Sequence, residues 1–235
     1  MKRILKVVFA LLFLCACAVL AVGGFFGVKG YRLYQNSVQK TPLSQVVAEI
    51  QSMDHFVQYE DLPKTYIDAV ISVEDHRFYK HHGLDFIAIG RAVVANLKSH
   101  SFAQGGSTIT QQLAKNLLFT QEKTLERKAA EVFAVFDLEK NYTKQELFEL
   151  YVNTIYFGGG YYGIYDAAMG YYQKQPSELS DYECVMLAGL PNAPSAYSPT
   201  TDPELAKERM QQVLRRMVDT GAITQQQAEE IQTSA

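Results

Sequence analysis

The chain of 235 residues contains only three cysteines, Cys15, Cys17 and Cys184. The first two lie in an apolar N-terminal segment, which leaves one cysteine for the rest of the chain. A disulfide cannot form within that remainder, so its fold must be stabilised by a hydrophobic core. The sequence also lacks a large excess of charge of either sign, with a net charge of −3. This balance gives no indication of nucleic-acid binding.

Alternating apolar and polar residues, the pattern of a half-buried strand, do not occur over any useful length. Apolar residues recur instead at helical spacing, as at Ile67, Val70, Ile71 and Phe78. This spacing predicts a mainly α-helical domain. The predicted helices cover residues 64–79, 85–97, 108–119, 123–142, 144–155, 180–190 and 203–220.

The N-terminal segment from Val7 to Val28 carries no charged residue. As a helix it would span roughly 33 Å, about the thickness of the hydrocarbon core of a bilayer. Basic residues precede the segment, so the positive-inside rule predicts a single-pass anchor with a cytoplasmic N-terminus. A cleaved signal peptide is the main alternative, although its apolar region is usually only about 7–15 residues long. A lipoprotein processing site at Leu14–Cys17 is a further alternative.

Glu74 occupies a position at which an apolar residue would continue a helical apolar stripe. Burial there would raise the pKa of its carboxyl group, and a close Asp75 would act in the same direction. A raised pKa makes a glutamate usable as a general base near neutral pH. The alternative is a glutamate at the rim of the stripe, paired with Arg77 in solvent.

The segment that begins with Gly105 and Gly106 carries the signals of a helix start. Ser107 and Thr108 are good N-caps, and Gln111 completes a capping box with Thr108. The free N–H groups of such a helix start suit an anion such as a phosphate. The spacing differs from that of a P-loop, so no nucleotide is implied. The alternative is a plain capped helix after a flexible turn.

A charged motif follows at Arg127, Lys128 and Glu131, whose spacings of three and four place them on one helix face. The two cations should lower the pKa of Glu131 and keep it ionised, in contrast to Glu74. Carboxylates with opposite pKa shifts are typical of divided catalytic roles. The alternative is a solvated, salt-bridged surface. A cationic cluster suits a diphosphate leaving group, which a hydrolase of plain glycosides does not need.

These three motifs, in this order, strongly resemble those of glycosyltransferase family 51. That family comprises the glycosyltransferase domain of penicillin-binding proteins and the monofunctional peptidoglycan transglycosylases. The family pattern Glu-Asp-x-x-Phe-x-x-His-x-Gly is matched from Glu74 to Gly83, Gly-Gly-Ser-Thr-Ile-Thr-Gln-Gln at 105–112, and Arg-Lys-x-x-Glu at 127–131. Later segments resemble a further helix motif, a closing loop and a C-terminal helix pair. The resemblance covers about residues 60 to 225.

The resemblance implies a lysozyme-like helical fold with a small membrane-facing lobe, and polymerisation of lipid II into β-1,4-linked glycan by inverting transfer with release of lipid pyrophosphate. Glu74 would be the general base for the acceptor 4-hydroxyl. Glu131 would assist the leaving group, directly or through a divalent metal ion, Mg²⁺ or Mn²⁺. The implied substrate-binding residues are Asp75, Phe78, His81, Arg91, Ser107, Thr108, Gln111, Gln112, Lys115, Asn116, Lys123, Arg127, Lys128, Asn153 and Tyr156.

Three features depart from the family pattern. Lys123 stands where many members carry arginine, which gives up a bidentate phosphate contact. The loop 158–160 consists of glycines where relatives often have a polar or basic residue. Asp137 replaces a residue that is usually not acidic, and no role for it follows from the sequence.

The resemblance implies a place in the bacterial cytoplasmic membrane, with the catalytic domain outside. We predict a cytoplasmic tail (1–6), a transmembrane helix (7–28), a polar, irregular juxtamembrane stalk (29–60), a glycosyltransferase domain (61–225) and a C-terminal tail (226–235). The expected partners are lipid II, lipid-linked nascent glycan and the bilayer, with other cell-wall synthesis proteins as a further class.

Two alternative functions stay open. A lysozyme-like glycan hydrolase would use paired carboxylates but has no need of the cationic cluster. A non-catalytic cell-wall scaffold would be expected to have lost Glu74 or Glu131, and both are present. Because a chain of this length leaves no room for a transpeptidase domain, we expect glycan synthesis without cross-linking.

Overall fold

The computed structural model describes residues 2–99, 105–120 and 122–234. Within these ranges the regular structure is helical, with two isolated β-bridges and no strand. The prediction of a mainly α-helical fold is therefore confirmed. The α-helices are α1 (Lys2–Lys40), α2 (Leu43–Gln51), α3 (Lys64–Glu74), α4 (Phe86–Ser99), α5 (Ile109–Leu118), α6 (Leu125–Asn141), α7 (Lys144–Thr154), α8 (Ile164–Tyr172), α9 (Asp181–Gly189), α10 (Pro194–Tyr197), α11 (Pro203–Asp219) and α12 (Gln225–Thr233).

The N-terminal helix α1 contains the apolar segment. In the described part of the chain it is the one helix long and apolar enough to cross a membrane, with a mean hydropathy of 2.7 in a window of which 0% is buried. The prediction of an irregular segment after Val28 is wrong, since α1 continues to Lys40 and α2 follows almost at once. Leu43, Val47 and Ile50, at helical spacing, bury one face of α2, which packs on α7.

The core consists of two groups of helices. Helices α3, α9 and α11 pack together, and α5 packs between α6 and α7. Aromatic side chains fill the centre, among them the fully buried Tyr66, Phe78, Phe148 and Tyr151. The arrangement brings the C-terminal end of α3 beside the N-terminal half of α5, where hydrogen bonds join the two groups.

The helix predicted over residues 64–79 ends earlier, at Glu74. Asp75 leaves the helical conformation, with φ −157° and ψ 72°, and its side chain turns to other partners. Glu74 is thus the last residue of α3, at the point where the helix meets a cleft.

Helix α4 lies between the first motif (74–83) and the third (127–131), where the resemblance places the membrane-facing lobe. It leaves several large apolar side chains exposed, of which Phe86 and Leu97 keep 74% and 70% of their surface. A concentration of exposed apolar side chains is typical of an interaction site. That this site is a membrane stays a prediction.

Candidate active site

Glu74 is held at the end of α3 by two partners from distant parts of the chain. The Gln112 side-chain amide donates to Glu74 Oε2 at 2.7 Å, and an Arg209 Nη2 atom lies 4.0 Å from Oε1. The carboxyl group is mostly enclosed, because only 10% of the side chain is exposed. The alternative of a solvent pair with Arg77 is wrong, since Arg77 pairs with Asp85 at 2.9 Å.

The pKa of Glu74 is raised above its ordinary value, chiefly because burial disfavours the charged form. The Gln112 hydrogen bond and the Arg209 charge oppose this shift, whereas Asp75 adds to it. Both the direction and the two causes that the sequence predicted are therefore confirmed. The chemical consequence is a carboxylate that binds a proton more readily than an ordinary glutamate does.

Asp75 places Gln112 against Glu74. Its carboxylate accepts from the N–H of Ile109, the first residue of α5, at 3.1 Å, and from His81 Nε2 at 2.9 Å. The Gly83 N–H donates to His81 Nδ1 at 3.1 Å, which leaves the ring proton on Nε2. Because the start of α5 is fixed in this way, Gln112 reaches Glu74 one helical turn later.

The helix start at Thr108 forms the predicted capping box with Gln111. The Thr108 hydroxyl also donates to the Gly83 carbonyl at 2.6 Å. Gly83 has φ +83°, and an added Cβ would lie 2.3 Å from a Val135 methyl group, so only glycine fits there. The prediction that Thr108 and Gln111 contact substrate needs correction, because both are buried and committed to the cap.

Four more predicted contact residues lie behind the site rather than in it. Phe78 has no exposed surface and packs against Phe148. Asp75 and His81 are buried against each other. Asn153 is buried, and its amide bonds both the N–H and the carbonyl of Val57. The polar groups of Asp75, His81 and Asn153 already have protein partners and Phe78 is enclosed in the core, so these residues position the site.

Glu131 forms the predicted cluster with two cations on α6. Lys128 Nζ lies 2.7 Å from Oε2, and an Arg127 guanidinium nitrogen bonds Oε1. The alternative of a solvated surface is wrong, because only 1% of the Glu131 side chain is exposed. Lys128 also donates to the Ser107 hydroxyl at 3.2 Å, which ties α6 to the glycine segment. The lowered pKa of Glu131 stays a prediction.

Further cations crowd around this cluster. Burial, followed by the charges of Arg127 and Lys123, lowers the pKa of Lys115. A group of desolvated like charges is destabilising by itself, and a bound anion would relieve it. The predicted cations Lys115, Lys123, Arg127 and Lys128 thus lie near one another, as a diphosphate site requires.

Glu74 and Gln112, which share a hydrogen bond, line two different clefts. The first, of about 420 Å³, is lined by Glu74 and by the predicted residues Arg91 and Ser107. The second, of about 390 Å³, is lined by Gln112 and by the predicted residues Lys115, Asn116 and Tyr156. The hydrogen bond between Glu74 and Gln112 therefore links the lining of one cleft to that of the other.

Sequence reasoning assigned no role to the arginines of α11. Arg209, Arg215 and Arg216 line the first cleft, and Arg209 also lies over the Tyr197 ring at 5.5 Å. A signal was present, because residues 209, 212 and 216 follow one another at helical spacing on an otherwise amphipathic helix. The spacing alone could not show which element this polar stripe faces.

The side chains of the site do not by themselves form a binding site for a resident divalent metal ion. Among the residues that the structure describes, no group of three His, Cys, Asp or Glu side chains lies close enough to hold one. Both oxygens of Glu131 are bonded to cations, which repel a second positive charge. Mg²⁺ in proteins is commonly held by one or two carboxylates together with substrate phosphates.

Comparison with known proteins places the chain in a family. A family model described as transglycosylase matches residues 40–218. Penicillin-binding protein 1A of Aquifex aeolicus is 45% identical over 175 residues, which are 74% of this chain and 24% of that protein. Penicillin-binding protein 2D of Bacillus subtilis is 37% identical over 243 residues, 98% of this chain and 35% of that protein. A Cupriavidus necator protein named "Putative transglycosylase" is 42% identical over 186 residues, 79% and 80% of the two chains.

The chain spans only 24% to 35% of the length of these two penicillin-binding relatives. A solved structure of penicillin-binding protein 1A from Haemophilus influenzae matches with a TM-score of 0.46 and 23% identity, over 77% of this chain and 17% of that chain. Because the family model covers most of the sequence, the chain belongs to the transglycosylase family, as its motifs predicted.

Proposed function

We propose that this protein is a membrane-anchored peptidoglycan glycosyltransferase that polymerises lipid II. One observation carries the proposal: a buried carboxylate with a raised pKa, Glu74, lines one cleft and bonds Gln112, which lines a second cleft together with Lys115 of the cationic cluster. Acid–base chemistry on a sugar needs the first element, and a diphosphate leaving group needs the second.

Glu74 acts as the general base. It accepts the proton of the acceptor 4-hydroxyl, and the oxygen attacks the anomeric carbon of the lipid-linked donor. The bond from that carbon to the lipid pyrophosphate breaks on the opposite face, which inverts the configuration. Gln112 fixes one carboxylate oxygen of Glu74, so the other is available to the incoming hydroxyl.

The cations of α5 and α6 stabilise the departing pyrophosphate. Negative charge builds on the leaving oxygen, and donors already fixed in place require no reorganisation at that moment. Glu131 holds Arg127 and Lys128 in position before substrate binds. No step passes through a metal ion. The Mg²⁺ or Mn²⁺ dependence expected from the resemblance stays a prediction, which chelation and re-addition of each ion during the polymerisation assay will test.

The apolar helix anchors the domain at the membrane that contains its substrate. The lipid tail of lipid II stays in the bilayer, so the anchor confines enzyme and substrate to one surface and raises their effective concentration. The basic residues before the apolar segment favour a cytoplasmic N-terminus and a catalytic domain outside.

The test is incubation of the full chain with labelled lipid II in detergent or vesicles, followed by separation of the products by size. Wild type should give a ladder of glycan polymer, and Glu74→Gln should give none. Glu208→Gln, which neutralises an exposed carboxylate on α11, serves as the matched control and should polymerise normally. Polymer from Glu74→Gln would reject Glu74 as the base. Soluble fragments released from preformed glycan would favour the hydrolase instead.

A further inference from the structure

The membrane helix does not end where the apolar segment ends. Residues 29–40 of α1 continue along α6, the helix that carries Arg127, Lys128 and Glu131. In the described part of the chain this is the most extensive contact between any two helices. The anchor therefore lies directly against the back of the cationic cluster.

Gly30 lies tightly packed against α6. It is buried, and a Cβ added there would lie 2.6 Å from Ala129 Cβ and 2.7 Å from the Ala130 backbone nitrogen. By contrast, a Cβ added at Gly24 or Gly27 would meet nothing within 4 Å in the described structure. Small residues allow two helix backbones to approach closely, and here the space leaves no room for even a methyl group.

Polar and aromatic contacts extend the interface along α6. Tyr34 donates from its hydroxyl to Asp137 Oδ2 at 2.6 Å, and the ring of Tyr31 lies edge-on to Phe133 at 5.2 Å. Asp137 is the acidic residue that departs from the family pattern. The hydrogen bond from Tyr34 gives Asp137 a role, which is to fix α1 against α6.

The contact residues of α6 determine its orientation. Positions 126, 129, 133 and 137 recur at helical spacing and form the face that α1 covers. Arg127, Lys128 and Glu131 project from the other side of the helix. Any rotation or displacement of α6 at the α1 contact must therefore move the cationic cluster relative to Glu74.

We propose that the membrane helix is a positioning element of the active site, in which Gly30 and Tyr34 hold α6 so that Glu131 and its cations meet the leaving group. This inference rests on the proposed transferase function and goes beyond it. A simple tether would tolerate any change that leaves the helix in the membrane. A positioning element does not tolerate changes on the face that contacts α6.

Gly30→Ala in the full chain tests the proposal, with Gly27→Ala as the matched control. Two measurements are made on each variant: hydrogen exchange of the α6 amides, and kcat and KM for lipid II polymerisation. Gly30→Ala should increase exchange in α6 and lower kcat about 10- to 100-fold, since displacement of catalytic groups by about 1 Å can cost that much. The KM should change less than about twofold, because the cations act mainly on the leaving group. Gly27→Ala should match wild type.

Tyr34→Phe keeps the ring and removes only the hydroxyl that bonds Asp137. Tyr34→Phe should lower kcat by a smaller factor than Gly30→Ala does. If Gly30→Ala does not fold, the kcat of Tyr34→Phe tests the proposal on its own. Wild-type kcat in both Gly30→Ala and Tyr34→Phe, or an equal loss in Gly27→Ala, would overturn the proposal. If wild type makes no polymer, the proposed function fails separately, and the exchange comparison still decides whether α1 holds α6.

Discussion

At Glu74 two opposing effects act on one carboxyl group. Burial raises its pKa, while the Gln112 hydrogen bond and the Arg209 charge lower it again. Burial prevails, so the pKa of Glu74 is raised and the group is a stronger base than an ordinary glutamate. The balance depends on partners from α5 and α11, and changes to those partners should shift it.

Gln112→Met should move the acidic limb of the pH profile of kcat/KM to higher pH. The substitution removes a hydrogen bond that stabilises the ionised form of Glu74, so its pKa rises further. Because the base must be deprotonated to act, activity is lost at a higher pH than in wild type. The measurement is kcat/KM for lipid II between about pH 5 and 9.

The control for that profile is Gln226→Met, an exposed position on α12. It should reproduce the wild-type limb. A limb that moves to lower pH in Gln112→Met, or that does not move, would contradict the assignment of Glu74 as the titrating base.

Glu74→Gln should raise the melting temperature near pH 7 and leave it unchanged near pH 4. A group whose folded-state pKa is raised stabilises the fold below its unfolded pKa, and this stabilisation is lost as the pH rises through the folded pKa. The neutral amide avoids that loss, while its oxygen can still accept from Gln112. The measurement is thermal unfolding at both pH values, with Glu208→Gln as a control that should show no such pH dependence. A variant less stable than wild type at pH 7 would argue against a desolvated carboxylate.

The residue-level predictions that succeeded were local ones. The capping box at Thr108 and the Glu131 ion pairs join residues three or four positions apart, and helical geometry alone places them together. The burial of Glu74 followed from the apolar stripe around it. Arg209 was missed because its contact with Glu74 depends on the packing of α11 against α3, which no local pattern encodes.

At the scale of single elements, two capping boxes provide a comparison. Thr108 caps α5 beside the site, whereas Thr224 caps α12 at the far end of the chain. Thr108 is buried and also bonds the Gly83 carbonyl, while Thr224 is exposed. The same substitution at both positions therefore separates a stabilising role from a positioning role.

Thr224→Ala should lower stability by about 1 kcal/mol without changing polymerisation. Thr108→Ala should cost about 2 kcal/mol or more, because it also leaves a buried carbonyl without its donor. It should in addition lower kcat, since the start of α5 sets the position of Gln112 against Glu74. Denaturant unfolding and the polymerisation assay measure the two effects. Equal activity of the two variants at a temperature where both are folded would refute the positioning role of the cap.

The elements themselves were predictable where their periodicity was strong. Helices α5, α7, α9 and α11 begin and end within one residue of their predicted limits. Helix α8 was missed because glycines and tyrosines obscure its apolar face, and α2 because a short amphipathic segment lay in a region that looked like a polar linker. Short helices of this kind depend on tertiary packing more than on their own propensity.

For the whole molecule, the sequence predicted an anchor and a domain as separate parts. The structure joins them, since α1 is both the apolar helix and a neighbour of α6, which carries the cationic cluster. This continuity could not be predicted, because the polar residues after Val28 resemble a linker and their partners lie about 100 positions later. One consequence is that the orientation of the anchor in the membrane also sets the orientation of the site.

The orientation across the membrane is the last prediction. The basic residues before the apolar segment predict an N-terminus inside, so a cysteine introduced by Gln226→Cys should lie outside. A membrane-impermeant maleimide should label that variant in intact spheroplasts, whereas a cysteine added before Met1 should react only after lysis. The background is low, because Cys184 is buried and Cys15 and Cys17 lie in the apolar segment. Labelling of the added N-terminal cysteine in intact cells would reverse the proposed topology and place the cleft on the cytoplasmic side, away from a substrate on the outer face.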